Sequence, residues 1–95
     1  MTDPRPSVVV LRREAEVELA EATEWYEALS NGLGAQFVLA VDAALARIAR
    51  DPETYPFVYR DIRRVLLRRF PYALYYVVES DRVTVIACFH GRRDL

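Results

Sequence analysis

A change of hydrophobic period along the chain limits the fold more than any other feature of the sequence. Between residues 13 and 50 apolar positions recur every three to four residues. Ala15, Leu19, Ala22, Tyr26 and Leu29 make one helical stripe; Val38, Val41, Leu45 and Ile48, widened by Phe37 and Ala44, make a second. Glu14, Glu16, Glu18, Glu21, Glu24 and Glu27 fall off the first stripe and predict a solvated acidic surface. Ser30-Asn31-Gly32 separates the stripes, with Gly32 suited to a left-handed cap, and Asp51-Pro52 ends the second. So short a connection predicts an antiparallel helical hairpin.

After the turn-rich, aromatic connection DPETYPFVYRD at residues 51–61, the period shortens to two. Three strand-like runs follow: Ile62–Arg69, Tyr72–Glu79 and Arg82–His90. A fourth, the valine-rich run Ser7–Leu11, precedes the helices and reads as a buried strand. A tight turn at Ser80-Asp81 would set Val78 opposite Val83, then Tyr76–Val85, Leu74–Ala87 and Tyr72–Phe89, an apolar face for the helices. Cys88 and His90 would then lie on the other, mixed face with Tyr75, and a one-residue slip would exchange the faces. The fold class is therefore α+β, in the order β-α-α-β-β-β. The helical hairpin packs on one face of a mostly antiparallel four-stranded sheet. Ninety-five residues make one domain, here 1–95, with 1–6 expected to be flexible.

Composition removes several function classes. All 13 basic residues are arginine, so lysine-dependent Schiff-base and P-loop chemistry is excluded. The net charge of −1 excludes a wholly basic nucleic-acid binder. That sum conceals a split, −5 over residues 1–57 and +4 over residues 58–95, which puts the expected anionic partner on the C-terminal part. The single cysteine, Cys88, can form neither an internal disulfide nor a zinc cluster and reads as a small buried hydrophobe. No cofactor and no metal are expected. Without an apolar leader or a run of spanning length, the reading is a cytoplasmic protein with no membrane partner.

Six short motifs in order carry a family likeness. They are E-x-E-L-x-E-A-x-x-W-Y-E at Glu16–Glu27, N-G-L-G-x-x-F at Asn31–Phe37 and R-D-P-x-x-Y-P at Arg50–Pro56. The others are I-R-R at Ile62–Arg64, R-F-P-Y at Arg69–Tyr72 and H-G-R-R-D at His90–Asp94. In this arrangement the chain resembles the RelE/ParE superfamily of toxins from bacterial type II toxin–antitoxin modules, on its ParE-like side. The resemblance implies a growth-inhibiting toxin neutralised by a cognate antitoxin, assembled as a homodimer or a toxin–antitoxin hetero-oligomer. ParE-like members are associated with poisoning of DNA gyrase, RelE-like members with cleavage of messenger RNA on the ribosome. A non-toxic interaction module is the third reading.

The residues discriminate among these. Cleavage at a 2′-hydroxyl needs a proton acceptor, cations for the developing phosphate charge and an acid for the leaving oxygen. The ribonuclease-like members use lysines, arginines and a late tyrosine or histidine, and often an arginine after an aromatic at the start of the middle strand. Here Ala73 follows Tyr72 and lysine is absent. What remains for a ribonuclease is His90 and Arg92, and the chain leans away from enzymatic activity. The candidate surface for antitoxin or target is Arg63, Arg64, Arg68, Arg69, Tyr75, His90, Arg92 and Arg93. These arginines are expected to converge on one end of the sheet. Adjacent strand residues point to opposite faces, so at most one of Arg63 and Arg64 joins a given patch. Tyr75 is the aromatic expected to be exposed, whereas Phe70, Tyr72 and Tyr76 are expected in the core. An acidic antitoxin segment over the arginine-rich sheet is the expected partner contact.

Overall fold

In the computed structural model, which describes residues 7–91, two helices pack on one face of a five-stranded sheet. The elements are β1 (Val9–Leu11), α1 (Arg13–Leu29), α2 (Leu33–Arg50), β2 (Phe57–Tyr59), β3 (Ile62–Leu66), β4 (Tyr72–Val78) and β5 (Val83–His90). The sheet runs β1-β5-β4-β3-β2, with β1 parallel to β5 and every other pair antiparallel. The expected order holds, with one strand more than the expected four. The addition, β2, lies inside the segment read as a connection: Phe57 and Tyr59 pair with Arg63 and Ile62 across a bulge. Its three residues are too few, and too close to Pro56, to carry a visible period. The run at β1 is a half-buried edge strand rather than a buried one. Residues 1–6 and 92–95, including Arg92 and Arg93, lie outside the described residues.

Each helix buries a stripe close to the expected one. Ala15, Ala22 and Tyr26 of α1 and Phe37, Val41, Ala44 and Ile48 of α2 enter the core with Val65, Leu74, Tyr76, Val83 and Val85 of the sheet. Leu29, the last residue of α1, and Val38 are the exceptions and stand exposed; on α2 the stripe is centred on Gly34 and Phe37 instead. Gly34 marks the close crossing of the helices, where an added Cβ would lie 2.9 Å from the carbonyl oxygen of Thr23. Gly32 takes the left-handed φ of +87° that the turn requires, as its place in the sequence predicts. With no side chain there to cap α2, the Glu27 carboxylate does so from α1. It accepts hydrogen bonds from the Gly32 amide (3.1 Å) and the Gly34 amide (3.0 Å), placing negative charge at the positive end of α2.

The β4–β5 hairpin keeps the expected register for two pairs and then departs from it. Val78 faces Val83 and Tyr76 faces Val85. A bulge between Tyr75 and Tyr76 then sets Leu74 against Cys88 and Tyr72 against His90, instead of Ala87 and Phe89. The extra residue on β5 reverses the facing of everything after it. Cys88 is therefore packed under the helices and Phe89 is on the far face. The bulge also turns the Cys88 amide out of the ladder, and the Glu18 carboxylate of α1 accepts its hydrogen bond at 2.9 Å. Glu18 and Glu27, read as solvated charge, are thus structural acceptors. Burial, with Glu18 nearby, pushes the Cys88 thiol up to about 12, so the cysteine is the inert hydrophobe its surroundings in the sequence suggest.

Candidate functional site

The sheet separates two surfaces of opposite character. On the helix side, between α1 and the β4–β5 end, lies a groove of about 420 Å³ lined by Glu18, Glu21, Trp25, Tyr26, Tyr72 and His90. Its floor is the edge of an aromatic cluster. Tyr26 meets Phe37, Phe70 and Tyr72 at 5.1, 4.9 and 5.9 Å between ring centres, mostly edge-to-face. Trp25 joins by its edge at 5.0 Å and stays 57% exposed, a rim residue as its place beside the stripe suggests. Burial raises both the Tyr26 and the Tyr72 phenols above their ordinary value. The bulge brings His90 to this groove, 5.8 Å from Tyr72, and not to the mixed face. Glu79, at the other end of the hairpin, accepts a hydrogen bond from the Thr84 hydroxyl. Carboxylates and aromatic rings make this groove unsuited to phosphate and suited to apolar or cationic groups.

The second surface is the ribbon β2–β3 at one edge of the sheet, with its two turns. Residues 58–69 hold Arg60, Arg63, Arg64, Arg68 and Arg69 against Asp61 alone, a net of +4. Residues 70–95 are balanced, so the positive charge of the C-terminal part belongs wholly to this ribbon. Strand alternation divides the central pair as predicted. Arg63, opposite Tyr76, points to the helix side; Arg64, opposite Tyr75, points to the open side. Arg63 is engaged within the fold. It donates to the carbonyl oxygens of Glu53 (2.9 Å) and Tyr55 (2.7 Å), and its guanidinium lies 3.8 Å from the Phe57 ring centre. The Tyr76 hydroxyl, donating to the Pro52 carbonyl oxygen at 2.8 Å, fastens the same loop. Arg63 is thus a brace for residues 52–57.

The other candidates divide as well. Arg68 and Arg69 lie exposed in the β3–β4 turn, at the end where the Gly91 amide donates to the Pro71 carbonyl oxygen. Arg63 and Arg64 sit beside the middle of β4, so the four do not converge on one end of the sheet. Tyr75, expected to be exposed, is 1% exposed, because the bulge brings Phe89 onto the same face to stack on it at 4.6 Å. Arg60 was not among the sequence candidates. It occupies the β2–β3 turn with its guanidinium 5.2 Å from the Tyr59 ring centre. The spacing Arg60-Ile62-Arg64-Leu66-Arg68, cations alternating with apolar residues, is the signal in the sequence that reaches it. Among the described residues no group of three His, Cys, Asp or Glu is placed to hold a metal ion, and no helix is long and apolar enough to cross a membrane.

A helical hairpin laid on one face of a mixed sheet is an architecture also found in solved toxin–antitoxin complexes. One solved example is the chromosomal ParDE toxin–antitoxin system of Pseudomonas aeruginosa. It is 13% identical, covers 88% of this chain and 95% of its own, and superposes with a TM-score of 0.65. A second is the RelBE2 toxin–antitoxin complex of Mycobacterium tuberculosis, 17% identical, covering 95% of this chain and 97% of its own, also at 0.65. At such identities the likeness is one of fold. Residues 9–95 match the model of the family described as ParE toxin of type II toxin-antitoxin system, parDE, and the chain belongs to that family. Among curated proteins none matches the sequence.

Proposed function

We propose that this chain is the toxin of a parDE-type module, neutralised by an antitoxin, and that it stops growth by binding a protein target, DNA gyrase, without cutting RNA. The family supports the toxin role. The observation that favours binding over RNA cleavage is the make-up of the open sheet face. The position where ribonuclease-like relatives carry an arginine is Ala73, Tyr75 is sealed beneath Phe89, and Arg63 is turned away into a brace. Arg64 is the one arginine of strands β3, β4 and β5 left on that face. A cation without a positioned base or acid binds a phosphate and does not cleave beside it.

The purified chain is expected to inhibit gyrase in a supercoiling assay and to leave messenger RNA intact on translating ribosomes. Codon-positioned cleavage lost in His90→Ala would replace this reading with a ribosome-dependent ribonuclease. Expression that leaves growth untouched would replace it with a non-toxic module.

A further inference from the structure

The groove between α1 and the β4–β5 end gathers acceptors and rings without an arginine among the described residues that line it. Helix α1 carries six glutamates against one arginine, so the field over this flank is negative. Two of the six, Glu18 and Glu21, lie one turn apart on the flank that also presents Trp25, and both carboxylates and the indole border the groove. Glu18 is half-buried, and the hydrogen bond its carboxylate accepts from the Cys88 amide at 2.9 Å fixes it there. Like charges at this spacing repel, and no described arginine offsets them. Among the described residues the only ion pair is Asp81 with Arg82 in the hairpin turn, and both cation–ring contacts lie on the ribbon. Trp25, more than half exposed, has no guanidinium against it among the described residues.

Elsewhere the molecule shows what such a set of groups holds. Arg63 places its guanidinium against two carbonyl oxygens, at 2.9 and 2.7 Å, and 3.8 Å from the Phe57 ring centre. The groove repeats those parts, with charged acceptors in place of carbonyls and a larger ring. We infer that it is a binding site for a small organic cation, a guanidinium group on an apolar stem. The planar fork donates to the Glu18 and Glu21 carboxylates and stacks on the Trp25 indole, while the stem lies over Ala22 and Pro71. A guanidinium suits the groove better than an ammonium, because its plane serves ring and carboxylates together. The same carboxylates repel phosphate and carboxylate ligands. The volume of about 420 Å³ is that of a small-molecule site. Binding stabilises the folded chain by mass action, and the inference does not depend on the cellular target.

The test uses the full chain, in which Trp25 is the single tryptophan, so intrinsic fluorescence reads the groove directly. Butylguanidinium is expected to change the emission saturably, half-maximal at or below about 1 mM, and to raise the melting temperature. The neutral isostere butylurea should do neither. Glu21→Gln and Glu18→Gln should each weaken binding by about tenfold, the worth of one charge-assisted hydrogen bond. Glu21 is exposed, and a glutamine at 18 still offers the Cys88 amide an acceptor, so both variants keep the fold. Glu24→Gln, on the same helix but outside the groove, should leave the affinity unchanged. No saturable change up to about 10 mM would overturn the inference. An equal response to butylurea would reduce the site to an apolar groove, and an equal loss in Glu24→Gln would reduce it to the general field of α1; either overturns it. Tighter binding of a blocked Gly-Arg-Gly peptide than of butylguanidinium, by about tenfold, would assign the groove to an arginine of a polypeptide and overturn the small-molecule reading.

Discussion

The two faces of the sheet use the same residue types in opposite ways. On the helix side Tyr26, Phe37, Phe70 and Tyr72 interlock edge-to-face, and Arg63 is consumed by two carbonyl oxygens and a ring. On the open side Tyr75 and Phe89 stack on each other, and Arg64 stands among apolar neighbours. An arginine turned inward is part of the fold. The next residue, turned outward, is available to a partner. Composition cannot distinguish the two; strand parity does.

The comparison breaks most visibly at the centre of the helix side. Phe37 is 0% exposed at the junction of both helices and the sheet, so Phe37→Ala should cost about 3–5 kcal/mol in denaturant unfolding. That is much of what a domain of this size holds. A loss below about 1 kcal/mol would mean that the aromatic cluster is not the keystone. The adjacent arginines sharpen the contrast. Arg63→Ala should destabilise by about 2 kcal/mol, since three interactions fail together. Arg64→Ala should shift stability by under about 0.5 kcal/mol. Equal stability losses in the two variants would erase the distinction between the faces.

The smallest effect is confined to alkaline solution. The Cys88 thiol is held protonated up to about 12, and the Tyr76 phenol likewise, both chiefly by burial. An unfolded thiol releases its proton near pH 9, so between 9 and 12 the unfolded chain is favoured and stability falls as pH rises. The phenol extends the decline from pH 10 upward. Cys88→Ala should flatten the fall between pH 9 and 10, read as melting temperature by circular dichroism. Parallel curves for the two proteins would place the thiol in contact with water.

Much of the fold is legible in the sequence because its signals are local. The change of period, the Gly32 turn, the Asp51-Pro52 stop and the Ser80-Asp81 hairpin each act within a few residues. What is not legible depends on one inserted residue. The bulge in β5 has no marker such as glycine in Val85-Ile86-Ala87, and it reverses Ala87, Cys88, Phe89 and His90 at a stroke. The misplacement of Tyr75 as exposed follows from it, since its cover is Phe89. Glu18 and Glu27 were hidden for a different reason. Their acceptor roles depend on partners in other elements, and an acid off the apolar stripe carries no sign of a distant amide. Of the candidate surface, the basic ribbon was legible as charge, while the engagement of Arg63 by the 52–57 loop required the folded contacts.

The Glu18 carboxylate also gives the last strand a condition for settling. The Cys88 amide finds its acceptor on a helix 70 positions away, so that amide is shielded only while α1 is docked. Most strand amides report the breaking of a neighbouring strand, whereas this one reports the lifting of a helix. Its hydrogen-exchange rate is a built-in gauge of helix docking, readable at a single residue in a chain of 95.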